Sequence, residues 1–136
     1  MAERQAREPD AHQQDPDRLV TGFAERVPDV LRAAVVASDG VLVAASSRIP
    51  PGEQEQLSAI TAGLISLARA VAQMFDDGTV TQALVTMARG TLVIMSIDGG
   101  SSLAVLTTAT ADLDMVAYEM TMLVEQAGSI FTPPPR

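Results

Sequence analysis

The chain has 136 residues, 47% of them apolar but only four aromatic, and a net charge of −8. That is enough for one domain with tails and a core of Val, Leu, Ile, Ala and Met. A nucleic-acid surface and a polybasic membrane anchor are both excluded, because the nine cations are scattered arginines and there is no lysine.

Residues 1–14 form a polar leader, expected to be disordered and unlike a signal peptide. The domain proper is expected over 15–131. It opens at Asp15-Pro16, an N-cap residue followed by proline at the first helical position. Leu19, Val20, Phe23, Ala24 and Val27 trace one face of a short helix that Pro28 ends. Leu31 to Ser38 predicts a strand, Asp39-Gly40 a type I′ hairpin turn, and Val41 to Ala45 the return strand. Ile49-Pro50-Pro51-Gly52 then breaks the chain before a long helix from about Glu53 to Phe75. Asp76-Asp77-Gly78 closes that helix, with the glycine as its left-handed cap. Three strands follow over 79–87, 91–97 and 102–107, separated by turns at Arg89-Gly90 and Asp98-Gly99-Gly100. A last helix is predicted from Ala111 to Ala127, with Leu113, Val116, Ala117, Met120, Leu123, Val124 and Ala127 inward. Gly128 stops it, and residues 132–136 are an extended proline-rich tail.

The long helix carries two apolar faces. Leu57, Ile60, Leu64, Leu67, Val71 and Met74 recur at the spacing of one face. Ala59, Ala62, Gly63, Ser66 and Ala70 recur on another. A helix lying on a sheet needs only the first. The small residues allow another backbone to come close, and Gly63 in mid-helix otherwise costs about 1 kcal/mol relative to Ala. A second copy of the same helix, and so a homodimer, accounts for both; the alternative is a helix covered on its far side by its own chain.

Leu92, Val93, Ile94 and Met95 follow one another without alternation, so the sheet must be covered on both faces. The order α-β-β-α-β-β-β-α therefore gives a three-layer α/β sandwich, with the long helix on one side and the two terminal helices on the other. No segment reaches ~20 apolar residues without a charge or turn, so no membrane span is expected.

The missing residues limit catalysis. Cysteine and lysine are absent, and the single histidine, His12, lies in the leader. Thiolate and Schiff-base chemistry, a phosphate-loop lysine, histidine triads and Cys/His zinc sites are therefore out of reach. Asp76-Asp77 reads as a turn, and Asp112 and Asp114 as a helix start, where carboxylates favour the dipole. No catalytic, cofactor or metal site is expected, and the protein is read as a soluble non-enzyme. The absence of cysteine suits a reducing cytoplasm.

The element order and the two-sided helix resemble the Roadblock/dynein light-chain superfamily, which is profilin-like in fold. Phe23-Ala24-Glu25-Arg26-Val27-Pro28, Ala34 to Gly40 and Ala45-Ser46-Ser47 are similar to the opening of one bacterial branch. Leu57 to Leu64 with Leu67-Ala68-Arg69 resembles its interface helix, and Ala111-Asp112-Leu113 with Val116 to Met120 its last helix. The resemblance covers roughly residues 17–133. It implies a five-stranded antiparallel sheet and a homodimer in which two such sheets join into one of ten strands, with the central helices antiparallel across it. It further implies a non-catalytic regulator or scaffold for a small Ras-like GTPase in a bacterial signalling system. Genes of this branch stand beside a sensor kinase-like protein and a GTPase in the arrangement called a conservon. Location in the cytoplasm is expected, with any membrane recruitment through partners.

Sheet joining gives the strand over 79–87 a purpose. It carries Thr81, Gln82 and Ala83 with no proline or lysine to blunt an edge, and pairing with its twin would satisfy its free amides; a short edge left in water is the alternative. The resemblance also makes Arg48, Arg69 and Arg89 candidates for GTPase contact. Arg48 and Arg89 lie in loops from which an arginine finger could reach, although relatives work without one. Arg69 would lie at the rim of the helix pair, facing Asp76/Asp77 of the partner or the GTPase, or else be a solvated surface residue. The contrasting function is a profilin- or PAS-like sensor of a small ligand, which needs an internal pocket with a few polar groups.

Overall fold

Asp15 starts the first helix, α1 (Pro16–Arg26), by accepting the Asp17 backbone N–H on its side chain at 3.0 Å. In this computed structural model, residues 15–76, 78–97 and 100–131 are described. The leader with His12, Asp77, the Asp98-Gly99 turn and the tail from 132 lie outside the described residues, so expectations about them are not tested by the structure. After α1 the order is β1 (Val30–Val36), β2 (Leu42–Ala45), α2 (Pro51–Phe75), β3 (Gln82–Met87), β4 (Gly90–Ser96), β5 (Ser102–Thr108) and α3 (Leu113–Phe131). The strands form one sheet in the order β2-β1-β5-β4-β3, and every pairing is antiparallel.

Successive strand residues point to opposite faces, and both faces are covered. Ala33, Val35, Val93, Leu103 and Val105 join Val20 and Phe23 of α1 and Val116, Met120, Leu123 and Phe131 of α3 in the larger core. Leu92, Ile94 and Ala104 face the other way and pack with Ile65 of α2. This is the expected three-layer arrangement, and it explains the unbroken apolar run of β4.

Several local expectations are corrected. The β1–β2 connection is a three-residue loop, not a two-residue type I′ turn. The Gly40 N–H reaches the Ala37 carbonyl at 2.9 Å, and Gly40, not Asp39, takes a positive φ of 89°. Asp39 instead accepts the Val41 N–H on its side chain at 3.1 Å, the local bonding that favours Asp in turns. At the end of α2 the left-handed cap is Asp76, φ 55°, rather than Gly78. Its N–H is used by the Ala72 and Gln73 carbonyls, so the helix closes before the glycine is reached. β3 begins at Gln82 rather than Thr79, because the lead-in is held by Ser96: its N–H goes to the Thr81 carbonyl and its Oγ to the Val80 carbonyl. Finally, α3 runs through Gly128 to Phe131. Phe131 is fully buried in the larger core, and burying such a side chain, worth about 1.5–3 kcal/mol, outweighs the ~1 kcal/mol helix penalty of glycine.

The two faces of α2 are also divided differently from the expected large and small stripes. Ser58, Thr61 and Ile65 are the buried positions, with Leu57 and Leu64 half-buried against Ile65's cluster. Ile60, Leu67, Val71 and Met74 are exposed. At about 100° per residue the large stripe straddles the boundary of the sheet contact, so Leu57 and Leu64 fall on its inner side and the other four on its outer side. The helix is also longer than its platform: 25 residues span about 37 Å, whereas a seven-residue strand spans about 23 Å. Met74 and Phe75, 75% and 65% exposed, lie in the last turn of this overlong helix.

Candidate self-association and partner surface

Five of the exposed large apolar side chains among the described residues, Ile60, Leu67, Val71, Met74 and Phe75, lie on α2. By length and composition the helix could cross a membrane, with an 18-residue window of mean hydropathy 1.4, yet it lies along the sheet and only 17% of that window is buried. Exposed apolar faces of this kind mark contact surfaces for another protein or a membrane. Ala59, Gly63, Ser66 and Ala70 lie along the open face, all exposed. A Cβ added at Gly63 would meet nothing within 4 Å. Ile60, Leu67, Val71 and Met74 flank them as one large-residue wall. Ala62 is turned aside and half-buried, its Cβ beside Gly40 of the β1–β2 loop.

β3 is one edge of the sheet. Ala83 pairs with Ile94 and faces α2, where Ala83, Val85 and Val80 pack on the Ile65 cluster with Leu57 and Leu64. The open edge of β3 and the open face of α2 thus adjoin. Leu84 and Met87 are both 46% exposed, and Thr81, just before the strand, is exposed as well. The opposite edge is different: the Ala45 N–H of β2 is bonded to Asp17 Oδ1 at 3.0 Å, which blunts that side.

The three arginines singled out from the sequence are exposed but are not brought together. Arg48 follows β2 and lines an open cleft of about 330 Å³ with Thr21, Glu25 and Leu31. Arg89 sits in the β3–β4 turn, at the same end of the sheet but beyond its other edge. Four strand spacings separate those edges, about 19 Å. Arg69 lies toward the opposite end, beside Gly100 and Ser102. No single partner residue could meet all three.

Two charge pairs were not foreseen. Arg32 Nε of β1 lies 3.4 Å from Glu53 in the first turn of α2, and Arg26 lies 3.6 Å from Glu119, joining α1 to α3. Arg32 was the one charge in an otherwise apolar strand, which was the available signal. Its Nε is buried and makes no well-directed hydrogen bond, so this is a charge contact, and such part-exposed pairs contribute about 0–1 kcal/mol. The aspartates read as turn and helix-start residues take structural positions. Asp112 accepts the Met115 N–H at 3.2 Å ahead of α3, Asp114 lies in that helix's first turn, and Asp76 caps α2 through its left-handed backbone and its N–H.

Among the described residues no three His, Cys, Asp or Glu side chains are placed to hold a metal. Besides the Arg48 cleft, open clefts of about 360 and 390 Å³ lie along β2 and beside Arg69. A smaller cavity of about 90 Å³ lies between α2 and the sheet; it falls short of the ~300 Å³ of ordinary small-molecule sites. Its hydroxyl lining, Ser38, Thr61, Ser66 and Ser102, was not legible beforehand, because those residues come from three separate elements and loops.

Comparison with known proteins places this geometry. The sequence profile of the Roadblock/LC7 domain matches residues 16–107. The chain is similar to a crystal structure of a Roadblock/LC7 domain from Streptomyces avermitilis, with 33% identity, coverage of 82% of this chain and 93% of that one, and a TM-score of 0.78. Myxococcus xanthus MglB shares the fold at 14% identity, 85% and 93% coverage and a TM-score of 0.77. Profilin IB of Acanthamoeba castellanii does so at 13% identity, 84% and 97% coverage and a TM-score of 0.57. No curated protein matches the sequence.

Proposed function

The chain belongs to the Roadblock/LC7 domain family, and from that premise we propose that it is a homodimeric, non-catalytic regulator or scaffold of a small Ras-like GTPase in a bacterial signalling system. The observation that carries the reading is the uncovered apolar face of α2 running into the open edge of β3. In the dimer, Ala59, Gly63, Ser66 and Ala70 form the line of close approach, with Ala62 at its margin. Ile60, Leu67, Val71 and Met74 wall it. The β3 edges, from Thr81 through Ala83, pair through their backbones, which satisfies the amides that an edge otherwise exposes. Family resemblance supports the GTPase as partner. Without lysine or cysteine, and with a single histidine, the protein would act by positioning groups of the GTPase.

Arg48, Arg69 and Arg89 are the proposed contacts, and their separation makes them independent points, not one cationic site. The protein would work in the cytoplasm, with a sensor kinase-like partner from the same gene cluster and membrane recruitment only through such partners. The direct test is a pull-down of the neighbouring-gene GTPase in its GDP and GTP-analogue forms, with Arg48→Glu, Arg69→Glu and Arg89→Glu tested singly. Binding in at least one nucleotide state, weakened by one or more substitutions, supports the proposal. Absence of binding in both states refutes it.

A further inference from the structure

Where α2 passes over the β1–β2 loop and the start of β5, a cavity of about 90 Å³ remains between helix and sheet. Its inner wall includes Thr61, fully buried, and Ser102, 4% exposed. Ser38, Ser66 and Arg69 stand at the exposed rim. Thr61 Oγ1 is buried and has no hydrogen-bond partner. One turn earlier Ser58 meets the same need by bonding back to the Gln54 carbonyl at 2.8 Å, an outlet that Thr61 does not take. A buried hydroxyl without a partner is destabilising and calls for an occupant that can bond to it.

The lining specifies that occupant. The polar side chains of the lining are four hydroxyls and one guanidinium, the rest being Val36, Ala37, Ala62, Ile65 and Gly100; a guanidinium can only donate, and hydroxyls donate readily. Among the described residues the lining holds no carboxylate. The volume corresponds to about three waters at liquid density and is too small for a nucleoside. We propose that this cavity is a site for a tetrahedral oxyanion: phosphate, free or as the terminal group of a phosphomonoester. Arg69 supplies the countercharge at the mouth, and the Thr61 and Ser102 hydroxyls hold the inner oxygens. Occupied, the site links α2 to the β1–β2 loop and β5. The site needs one chain only; its rim residues Ser66 and Arg69 also belong to the proposed dimer and GTPase contacts, whereas Thr61, fully buried, belongs to neither and separates the two readings.

The test is a backbone NMR titration of the full chain with inorganic phosphate and, separately, with O-phosphoserine, at constant ionic strength against chloride. The expected result is saturable shifts confined to the amides of Ser38, Thr61, Ser66, Arg69 and Ser102. Saturation by phosphate alone identifies the free ion, and saturation by both identifies a phosphoryl group presented on a larger molecule. Arg69→Gln, at an exposed position, should abolish saturation while leaving the melting temperature in chloride unchanged. Thr61→Val, which keeps the shape and removes the hydroxyl, should raise that melting temperature and weaken phosphate by roughly 10- to 100-fold, the loss expected for a hydrogen bond to a charged group. Shifts that are non-saturable or scattered as in chloride overturn the proposal, as does unchanged affinity in either variant; the cavity then holds only water.

Discussion

Replacing Gly63 by leucine should move two quantities in opposite directions. Gly63 lies in the middle of α2, and a Cβ there meets nothing within 4 Å in the single chain. In an isolated protomer, leucine therefore removes a helix-weakening glycine without a clash, a gain of about 0.8–1.0 kcal/mol. Against a second copy the same side chain intrudes on the line where two helices approach, and overpacking costs about 1–3 kcal/mol per substitution. A symmetric pair contains it twice, so even the low end raises the dissociation constant by about 30-fold at 1.4 kcal/mol per decade. Sedimentation equilibrium over a concentration series measures the association, and urea unfolding of the dilute chain measures the fold. Gly63→Ala adds a single methyl and should show a stability gain at least as large, about 0.8–1.0 kcal/mol, with a smaller loss of pairing. A Gly63→Leu chain that associates as tightly as the parent would refute the proposed contact. A Gly63→Leu chain that is less stable when dilute would mean that the face is covered by the chain itself.

Three further substitutions test the frame that holds this surface. A Cβ at Gly90 would collide with the Thr107 carbonyl oxygen across the β4–β5 pairing, so Gly90→Ala should destabilise by about 1–3 kcal/mol in thermal melts followed by circular dichroism. Phe131→Ala should cost about 3–5 kcal/mol in urea and release amide protection in the last turn of α3 while sparing residues before Gly128. Asp17→Ala removes the acceptor for the Ala45 N–H and should cost about 1–3 kcal/mol, with Asp17→Asn, which keeps a carbonyl, restoring most of it. Equal losses in the Ala and Asn variants would mean that the bond is not what matters at Asp17.

The architecture was legible because periodicity and punctuation agreed. Asp15-Pro16 marked a helix start that the structure places at the same residue. The unalternating Leu92–Met95 run signalled a sheet covered twice, which the two separate cores explain. Local geometry was less legible wherever a side chain took over a backbone role. Asp39 and Ser96 redirected a turn and a strand start by bonding to nearby main chain. Gly128 looked like a helix stop because a sequence reading could not weigh the burial of Phe131 three residues later. The candidate surface was half legible. The small residues of α2 were visible, but their large neighbours were assigned to the sheet, because the angle at which a helix sits on its platform depends on tertiary packing. The hydroxyl-lined cavity was invisible for a related reason: Ser38, Thr61 and Ser102 meet only after β1, α2 and β5 have come together.

The unequal borders of the sheet limit what this molecule can build. On the β2 side a carboxylate already occupies the Ala45 amide, whereas among the described residues no strand pairs with the free side of β3. Fibrillar stacking of strands requires every unit to be adhesive at both ends, as in a chain-growth monomer with two functional groups. A unit with one open end and one partly blocked end adds further units less readily after the first. If β3 pairs with its twin as proposed, strand-to-strand growth would find a poorer template on the β2 side, and an apolar edge strand could be tolerated in a crowded cell without readily seeding filaments.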